Sequence, residues 1–261
     1  MESPWVEWSG DSPRRAVSGD GYNLVYHAPR ALRGLALTKL HDSIVDYAKV
    51  AKVSHAGKND FSECYKTGYD LKGMTRLVLL WHAIGQKHKP PVVCADIRST
   101  GAAFNGAMDL LQRLEGVSLY CSRTMEHLDP VQYSLLLQLK EYRCRQYADQ
   151  KAFAALDQHT LWEGREIVYN RWSPVHNDRQ DPHMSWAAIT YLGDFEGAFL
   201  EFPELRLRLH LSPGDVVFFR GKDLQHGAPS WVSGQRHFLV HFTHQGIWDN
   251  AGMTCSSSKA L

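Results

Sequence analysis

The sequence is poor in the features that mark membrane-spanning, secreted and disulfide-rich proteins. No apolar run approaches the roughly 18 residues that would cross a bilayer, and the first residues lack the basic and then apolar layout of a secretory signal. The five cysteines are scattered, without a C-x-x-C pair, which argues against a disulfide framework or a cysteine zinc site and favours a reducing compartment. The net charge of +1 does not indicate nucleic-acid binding by bulk charge.

Internal repeats of 20–50 residues are also lacking, which excludes solenoids and propellers. Instead, three segments carry apolar residues at the spacing that is typical of the buried face of a helix. Asp129 and Pro130 supply an N-cap and a first helical residue for the third segment. The three apolar faces consist of Leu37, Leu40, Ile44, Tyr47 and Ala51; of Phe104, Ala107, Met108, Leu111 and Leu114; and of Leu135, Leu136, Leu139 and Tyr142.

The last third of the chain predicts short strands, because apolar runs alternate with turns rich in glycine, proline and aspartate. The run 215–219 is apolar after its first residue, which is typical of a strand buried on both faces. Helices followed by strands indicate an α+β domain, and we predict a double-stranded β-helix (jelly-roll) core braced by N-terminal helices. The predicted strands are 22–27, 91–95, 166–172, 186–192, 198–202, 205–211, 215–219 and 237–242.

These patterns divide the chain into four parts of one globular unit. Residues 1–34 are predicted to form an irregular arm with one strand, and residues 35–160 a helical support region packed on the core. Residues 161–250 are predicted to form the double-stranded β-helix that carries the chemistry. The last part, 251–261, is rich in serine, glycine and lysine and is predicted to be a flexible tail.

Three residues in the strand-rich region have the spacing of a metal site. His176 and Asp178 lie two apart just after a predicted strand, so an extended backbone points both side chains to the same face. His226 follows the Ser-Pro-Gly-Asp turn and the buried strand. The chain has 14 histidines, so a single one carries little information. Two imidazoles and one carboxylate form the facial triad that holds a non-haem Fe(II) and leaves coordination positions open.

Arg236 lies ten positions after His226 and directly before an apolar run, which places it on an inner strand. A buried charge needs a partner, and a bound carboxylate supplies one. A planar guanidinium suits a dicarboxylate such as 2-oxoglutarate. Arg236 therefore favours Fe(II) with 2-oxoglutarate, and dioxygen as cosubstrate, over a zinc centre in which the same three ligands close around a tetrahedral ion.

Four segments resemble the TET/JBP family of Fe(II)/2-oxoglutarate-dependent nucleobase dioxygenases, specifically its fungal branch. They are 95–105 (ADIRSTGAAFN), 169–179 (YNRWSPVHNDR), 212–227 (SPGDVVFFRGKDLQHG) and 235–244 (QRHFLVHFTH). The metal motif alone is shared by many oxygenases, and the more specific part follows Arg236.

The resemblance assigns three residues to the substrate. Phe242 is expected to stack on the flipped methylated base, and His244 to contact the edge of the base. Asp181 is expected to help read the base, although animal members carry an amide there. Phe238 replaces a hydroxyl that contacts the cosubstrate in many relatives, so Asn170 or another donor is expected to make that contact.

The function that the resemblance implies is oxidation of the methyl group of 5-methylcytosine in DNA, first to 5-hydroxymethylcytosine and then to formyl and carboxyl forms, with the base flipped out of the duplex. The expected partner is double-stranded DNA carrying methylated bases, and we expect no association with a membrane. We expect a monomer in the nucleus, the location being inferred from the substrate. Two interpretations of Arg165, Arg171, Arg179, Arg206 and Arg208 stay open, solvated surface arginines and a local basic patch for DNA, and Arg98 is a weaker candidate for a phosphate or cosubstrate contact.

The sequence leaves three alternatives open. An AlkB-like enzyme would have the same metal layout and would demethylate N6-methyladenine in DNA, as its sole or as a second activity. A catalytically silent jelly-roll would only bind methylated DNA, although such a protein has no reason to keep the triad and Arg236. An oxygenase of free small molecules is the third.

Overall fold

The structure is a computed structural model that describes residues 4–54, 64–83, 85–86 and 88–260. In these ranges the helices are α1 (Gly34–Val50), α2 (Gly101–Arg113), α3 (Glu115–Leu128), α4 (Pro130–Gln146), α5 (Ala148–Leu156) and α6 (Gln245–Ala251). The strands are β1 (Val6–Trp8), β2 (Arg14–Val17), β3 (Asn23–Ala28), β4 (Gly73–Arg76), β5 (Gly164–Tyr169), β6 (Ser173–His176), β7 (Ala187–Gly193), β8 (Ala198–Phe202), β9 (Leu207–Leu211), β10 (Val216–Phe219), β11 (His226–Ala228) and β12 (Arg236–Phe242).

The strands form two sheets. The larger has seven strands in the order β2-β3-β10-β7-β12-β5-β4, and all of its pairs are antiparallel. The smaller has five in the order β1-β9-β8-β11-β6, with only the β1–β9 pair parallel. The buried strand predicted at 215–219 is β10, which is buried at every residue and pairs with β3 and β7. The two-sheet jelly-roll with added helices confirms the predicted fold class.

The larger sheet is the middle layer between the helices and the smaller sheet. One of its faces packs on the helices through residues such as Ile167, Phe218 and Leu239. The other face packs on the smaller sheet, where Val217 and Phe219 meet apolar side chains of β8 and β9. Because side chains alternate along a strand, each central strand contributes to both cores.

The predicted apolar faces are buried or half-buried in α1, α2 and α4, except that Phe104 at the start of the α2 face is exposed. Helix α4, the third of the predicted helices, begins as predicted, because the Asp129 carboxylate accepts a hydrogen bond from Gln132 N at 3.1 Å and Pro130 is the first helical residue. None of the described helices is long and apolar enough to cross a membrane.

One strand prediction is wrong. Residues 91–95 form no strand, only a single bridge in which Val92 pairs with Trp81. The two prolines at 90 and 91 lack the N–H groups that a ladder needs.

The chain ends are also more regular than predicted. The segment predicted as an irregular arm contains β1, β2 and β3, which pair with both sheets. The tail predicted to be flexible is packed on the protein, because Ser257 and Ser258 donate hydrogen bonds to the buried carboxylate of Asp129. In both cases the partners lie far away in sequence, so local composition does not reveal them. The division of the chain at 34, 160 and 250 stays a prediction.

Candidate metal and cosubstrate site

A cavity of about 820 Å³ opens between the two sheets. The larger sheet contributes side chains from β5, β7, β10 and β12, and the smaller sheet contributes side chains from β6, β8 and β11. Its volume lies in the range of small-ligand sites. The predicted residues that line it are His176, Asp178, Asp181, His226, Phe242 and His244.

The three predicted metal ligands converge in this cavity. His176 ends β6 and His226 begins β11, and the two residues are direct partners in the antiparallel register. The Asp178 carboxylate lies between the two histidines. Its Oδ1 is 3.7 Å from Nε2 of His176, and its Oδ2 is 3.7 Å from Nε2 of His226. One potential ligand atom from each residue lies within 4.8 Å of the others, and no other described group of His, Cys, Asp and Glu meets this condition.

Both imidazoles are oriented for metal binding by backbone carbonyls. Nδ1 of His176 lies 2.8 Å from the Pro174 carbonyl, and Nδ1 of His226 lies 3.0 Å from the Leu224 carbonyl. A carbonyl only accepts, so each Nδ1 carries the proton and each Nε2 presents a lone pair towards Asp178. Burial lowers the pKa of His226, which favours the neutral imidazole that binds a metal.

Gly221, which the sequence reading missed, makes room for the third ligand. The Asp178 backbone N–H donates to the Gly221 carbonyl at 2.8 Å. A Cβ atom at Gly221 would lie 2.1 Å from Asp178 Oδ2, which no side chain could tolerate without displacing the carboxylate. In the sequence, the residues GKD at 221–223 indicate only a turn, and the contact of Gly221 with Asp178 depends on the fold.

Arg236 is fully buried, and its guanidinium is held by backbone carbonyls of nearby residues and by an aromatic ring. The guanidinium donates to the carbonyls of Pro229 at 3.1 Å and Arg171 at 2.8 Å, and it stacks on the Trp231 ring at 4.1 Å. Its Nε has no hydrogen-bond partner, and no acidic group among the described residues forms an ion pair with it. Burial lowers the pKa of Arg236 to about 10. A buried cation with an unused donor fits an anionic cosubstrate.

Arg236 lies at the end of the cavity and does not line it; the neighbouring Tyr191, Ala228 and Phe238 do. Tyr191 was not among the predicted site residues. Its ring is buried beside Phe238, at 6.0 Å between centroids, and burial raises the pKa of its phenol. The neutral phenol is a hydroxyl donor whose ring lies beside the position that Phe238 leaves apolar.

Asn170 has a role besides the predicted cosubstrate contact. Its side-chain oxygen accepts from the Arg236 N–H at 2.9 Å, and its amide group donates to the Leu71 carbonyl at 3.0 Å. It is fully buried outside the cavity, with a left-handed φ of 51° that asparagine tolerates better than most residues. Asn170 therefore positions the backbone of Arg236, and its direct contact with the cosubstrate stays a prediction.

The opposite end of the cavity carries the predicted base contacts. Phe242 pairs with Gly164 across β12 and β5, and a Cβ at Gly164 would lie 2.3 Å from the Phe242 ring. His244 is next to it, at 4.8 Å between ring centroids, and burial lowers its pKa to about 4. Burial, reinforced by Asp178 and Glu163, raises the pKa of the Asp181 carboxyl. The arrangement offers one aromatic face with polar groups beside it.

The local basic patch is only partly assembled. Arg171 and Arg179 line the cavity. Arg165 is buried in an ion pair with Asp157 at 2.9 Å, and Arg208 pairs with Glu201 and Glu7 away from the cavity. The remaining candidates, Arg206 and the exposed Arg98, are also absent from the cavity lining.

Comparison with known proteins identifies the family. The Tet_JBP profile, described as the oxygenase domain of the 2OGFeDO superfamily, matches residues 81–245, which is more than half of the chain. The chain belongs to the Tet/JBP family. Fe(II) and 2-oxoglutarate are the cofactors of this superfamily, and the described triad and the unpaired cation of Arg236 fit both groups.

The individual relatives match this chain either over a short segment or at low sequence identity. A Tet-like dioxygenase 1 of Naegleria gruberi is 33% identical over 73 residues, which is 27% of this chain and 22% of that protein. The match therefore spans about a fifth of the length of this curated relative. The solved structure of NgTET1 in complex with 5mC DNA superposes with a TM-score of 0.68 and 16% identity, covering 94% of this chain and 81% of that chain. At this identity the likeness shows a shared fold.

Proposed function

We propose that this protein is an Fe(II)- and 2-oxoglutarate-dependent dioxygenase that oxidises the methyl group of 5-methylcytosine in DNA to 5-hydroxymethylcytosine and further to formyl and carboxyl forms. The observation that carries the proposal is the position of Phe242, whose ring lies over Gly164 in the same cavity as the metal triad. NgTET1, which shares the fold, was solved with 5mC DNA, and this supports the substrate class.

Each residue has a task in this proposal. His176, Asp178 and His226 hold the iron through two Nε2 atoms and a carboxylate. Arg236 binds the distal carboxylate of 2-oxoglutarate, while Asn170 holds the Arg236 backbone and Trp231 stacks on its guanidinium. The bound iron, with 2-oxoglutarate and dioxygen, supplies the oxidising power that replaces a C–H bond of the methyl group by C–OH.

The substrate base is held at the other end of the cavity. A methyl group in a stacked and paired base does not reach a metal between two sheets, so the base is flipped out of the duplex. Phe242 stacks on the base, and stacking of this kind contributes about 1–3 kcal/mol. His244 and Asp181 contact the edge of the ring, and the apolar Val240 and Phe238 exclude water between the base and Arg236.

The DNA is double-stranded and binds at the cavity mouth, where Arg171 and Arg179 supply cationic side chains for its phosphates. We propose that the protein acts as a monomer in the nucleus, where this substrate occurs.

A duplex assay tests the proposed reaction. Duplexes with one 5-methylcytosine are incubated with the protein, iron, 2-oxoglutarate and oxygen, and the nucleosides are analysed by mass spectrometry. We expect 5-hydroxymethylcytosine with wild-type protein and none with His176→Ala. Unchanged 5-methylcytosine with folded wild-type protein and all cofactors present would refute the proposal.

Demethylation of N6-methyladenine is the second candidate. It is favoured by Asp181, because a carboxyl group in the cavity accepts a hydrogen bond from the amino group of adenine as well as from that of cytosine. A duplex with N6-methyladenine is therefore assayed beside the first one, and loss of its methyl group as formaldehyde would support the second activity.

A further inference from the structure

Glu166 places a third carboxylate in the cavity wall, besides the metal ligand Asp178 and the predicted base contact Asp181. It lies on β5, lines the cavity, and is about a quarter exposed. Its Oε2 accepts from Arg76 Nε at 2.7 Å, while Arg76 itself does not line the cavity. Arg76 is the partner of Glu166 in the register of β4 and β5, so it lies beside the carboxylate on the same face of the sheet, and only the carboxylate of the pair lines the cavity.

The register of β5 and β12 shows where Glu166 lies along the cavity, between Phe242 and Arg236. Phe242 pairs with Gly164 and Val240 pairs with Glu166. Side chains on one face of a strand follow each other at about 7 Å. Glu166 is therefore one step deeper than the aromatic ring, on the way from Phe242 to Arg236. A base stacked on Phe242 presents its edge at this level.

We propose that Glu166 senses the oxidation state of the substituent on the flipped base. The inference rests on the proposed function, because it takes Phe242 as the stacking residue. A carboxylate beside the substituent accepts a hydrogen bond from the hydroxyl of a hydroxymethyl group. The same carboxylate repels a carboxylate on the base, since two like charges then lie close together inside a cavity.

The consequence is an uneven sequence of oxidations. The methyl and hydroxymethyl forms are neutral and are accepted, and the hydroxymethyl form gains a hydrogen bond. The last step converts the neutral formyl group to an anion, which Glu166 disfavours. Hydroxymethyl and formyl bases therefore accumulate, and the carboxyl product is formed slowly.

Equilibrium binding tests the inference independently of turnover. The full chain is loaded with Fe(II) without dioxygen, and its affinity is measured by fluorescence anisotropy for duplexes carrying one hydroxymethylcytosine or one carboxylcytosine. We expect wild-type protein to bind the carboxyl duplex at least about tenfold more weakly. Glu166→Gln keeps the size and hydrogen-bonding capacity of the side chain without its charge, and it should reduce the difference to less than about threefold.

The chain offers a matched control in Glu201, which pairs with Arg208 at 2.8 Å, has a similar exposure to Glu166 and lies outside the cavity. Glu201→Gln should keep the wild-type discrimination. If Glu166→Gln does not fold, the double variant Glu166→Gln/Arg76→Met removes both charges of the pair and takes its place.

Turnover of formylcytosine and 5-methylcytosine duplexes separates this inference from the proposed function. With a formylcytosine duplex, Glu166→Gln should raise the rate of carboxyl formation at least about fivefold relative to the rate on 5-methylcytosine. Equal ratios in wild type and Glu166→Gln, with 5-methylcytosine oxidised by both, overturn the role of Glu166 alone. Wild-type protein that neither oxidises 5-methylcytosine nor binds either duplex overturns the proposed function together with this inference.

Discussion

Asp178 Oδ2 lies against Gly221 so closely that a Cβ atom there would be 2.1 Å away. The two residues belong to the two loops that follow β6 and β10, and the hydrogen bond from Asp178 N to the Gly221 carbonyl joins the loops. The carboxylate of the metal triad is thus positioned by a glycine on a different strand connection. The metal site depends on this contact as much as on its three ligands.

Gly221→Ala should weaken metal binding about 10–100-fold, the range found when groups that orient metal ligands are changed. The added methyl group displaces the Asp178 carboxylate while all three ligands stay in the sequence. Calorimetric titration with Mn(II) or Fe(II) measures the effect. Gly116→Ala is the control, because a Cβ there meets nothing within 4 Å. Equal metal affinity in wild type and Gly221→Ala would show that Asp178 does not need this space.

Arg236→Lys should raise the KM for 2-oxoglutarate by about tenfold or more, with a smaller change in kcat. Lysine keeps the charge, but it loses the fork that donates to the Pro229 and Arg171 carbonyls and the stacking on Trp231. Steady-state kinetics at saturating DNA checks this. Arg208→Lys is the control, since Arg208 also stacks on aromatic rings but lies away from the cavity. A KM that both variants leave unchanged would remove Arg236 from the cosubstrate site.

Gly164→Ala should raise the KM for methylated duplexes by roughly 5–100-fold, which corresponds to the loss of base stacking. The new Cβ would lie 2.3 Å from the Phe242 ring and push it out of its position. The KM for 2-oxoglutarate should stay the same, because Arg236 lies at the other end of β12. Gly19→Ala, where a Cβ meets nothing within 4 Å, shows the effect of an unhindered methyl group. A KM for DNA equal to that of Gly19→Ala would contradict the stacking role.

His241 should make the protein less stable in acid. Burial, reinforced by Arg165, lowers its pKa to about 3, and neither ring nitrogen has a hydrogen-bond partner. The unfolded chain binds a proton at this histidine below about pH 6.5, whereas the folded protein does not until near pH 3. The stabilisation is therefore complete above pH 6.5 and is lost as the pH falls towards 3.

Urea unfolding between pH 4.5 and 7.5 measures this contribution. Over the acid half of the range, His241→Leu should reduce the slope of the unfolding free energy by about 1 kcal/mol per pH unit. His127→Leu, at an exposed position, serves as the control. Parallel curves for wild type and His241→Leu would show that His241 does not couple folding to pH.

The sequence predicted the parts of the fold that depend on local pattern. Apolar spacing located α1, α2 and α4, and alternation with turns located the six strands from β5 to β12 that have clear patterns. The common direction of His176 and Asp178 was predictable because they lie two residues apart on an extended segment. The inward direction of Arg236 was predictable because it directly precedes an apolar run. The prediction failed at 91–95, where prolines prevent pairing.

What the sequence could not predict depends on which strands pair and in which register. Glu166 lines the cavity and Gly164 lies against the Phe242 ring because β5 pairs with β12, and nothing near them in sequence indicates this. The contact between Gly221 and Asp178 joins two loops far apart in the chain. Asn170 is expected at the cosubstrate because Phe238 lacks a hydroxyl, but the bond that Asn170 makes to the Arg236 N–H needs a left-handed backbone that composition does not reveal.

Isotope labelling tests the central claim most directly, that one cavity brings methylated base, iron and 2-oxoglutarate together. A duplex with 5-methylcytosine is treated with the protein, Fe(II) and 2-oxoglutarate under ¹⁸O₂, and succinate and nucleosides are analysed by mass spectrometry. We predict one ¹⁸O atom in the succinate and one in the hydroxymethyl group, and no label in either with His226→Ala. Labelled succinate that forms without any labelled nucleoside would contradict the account.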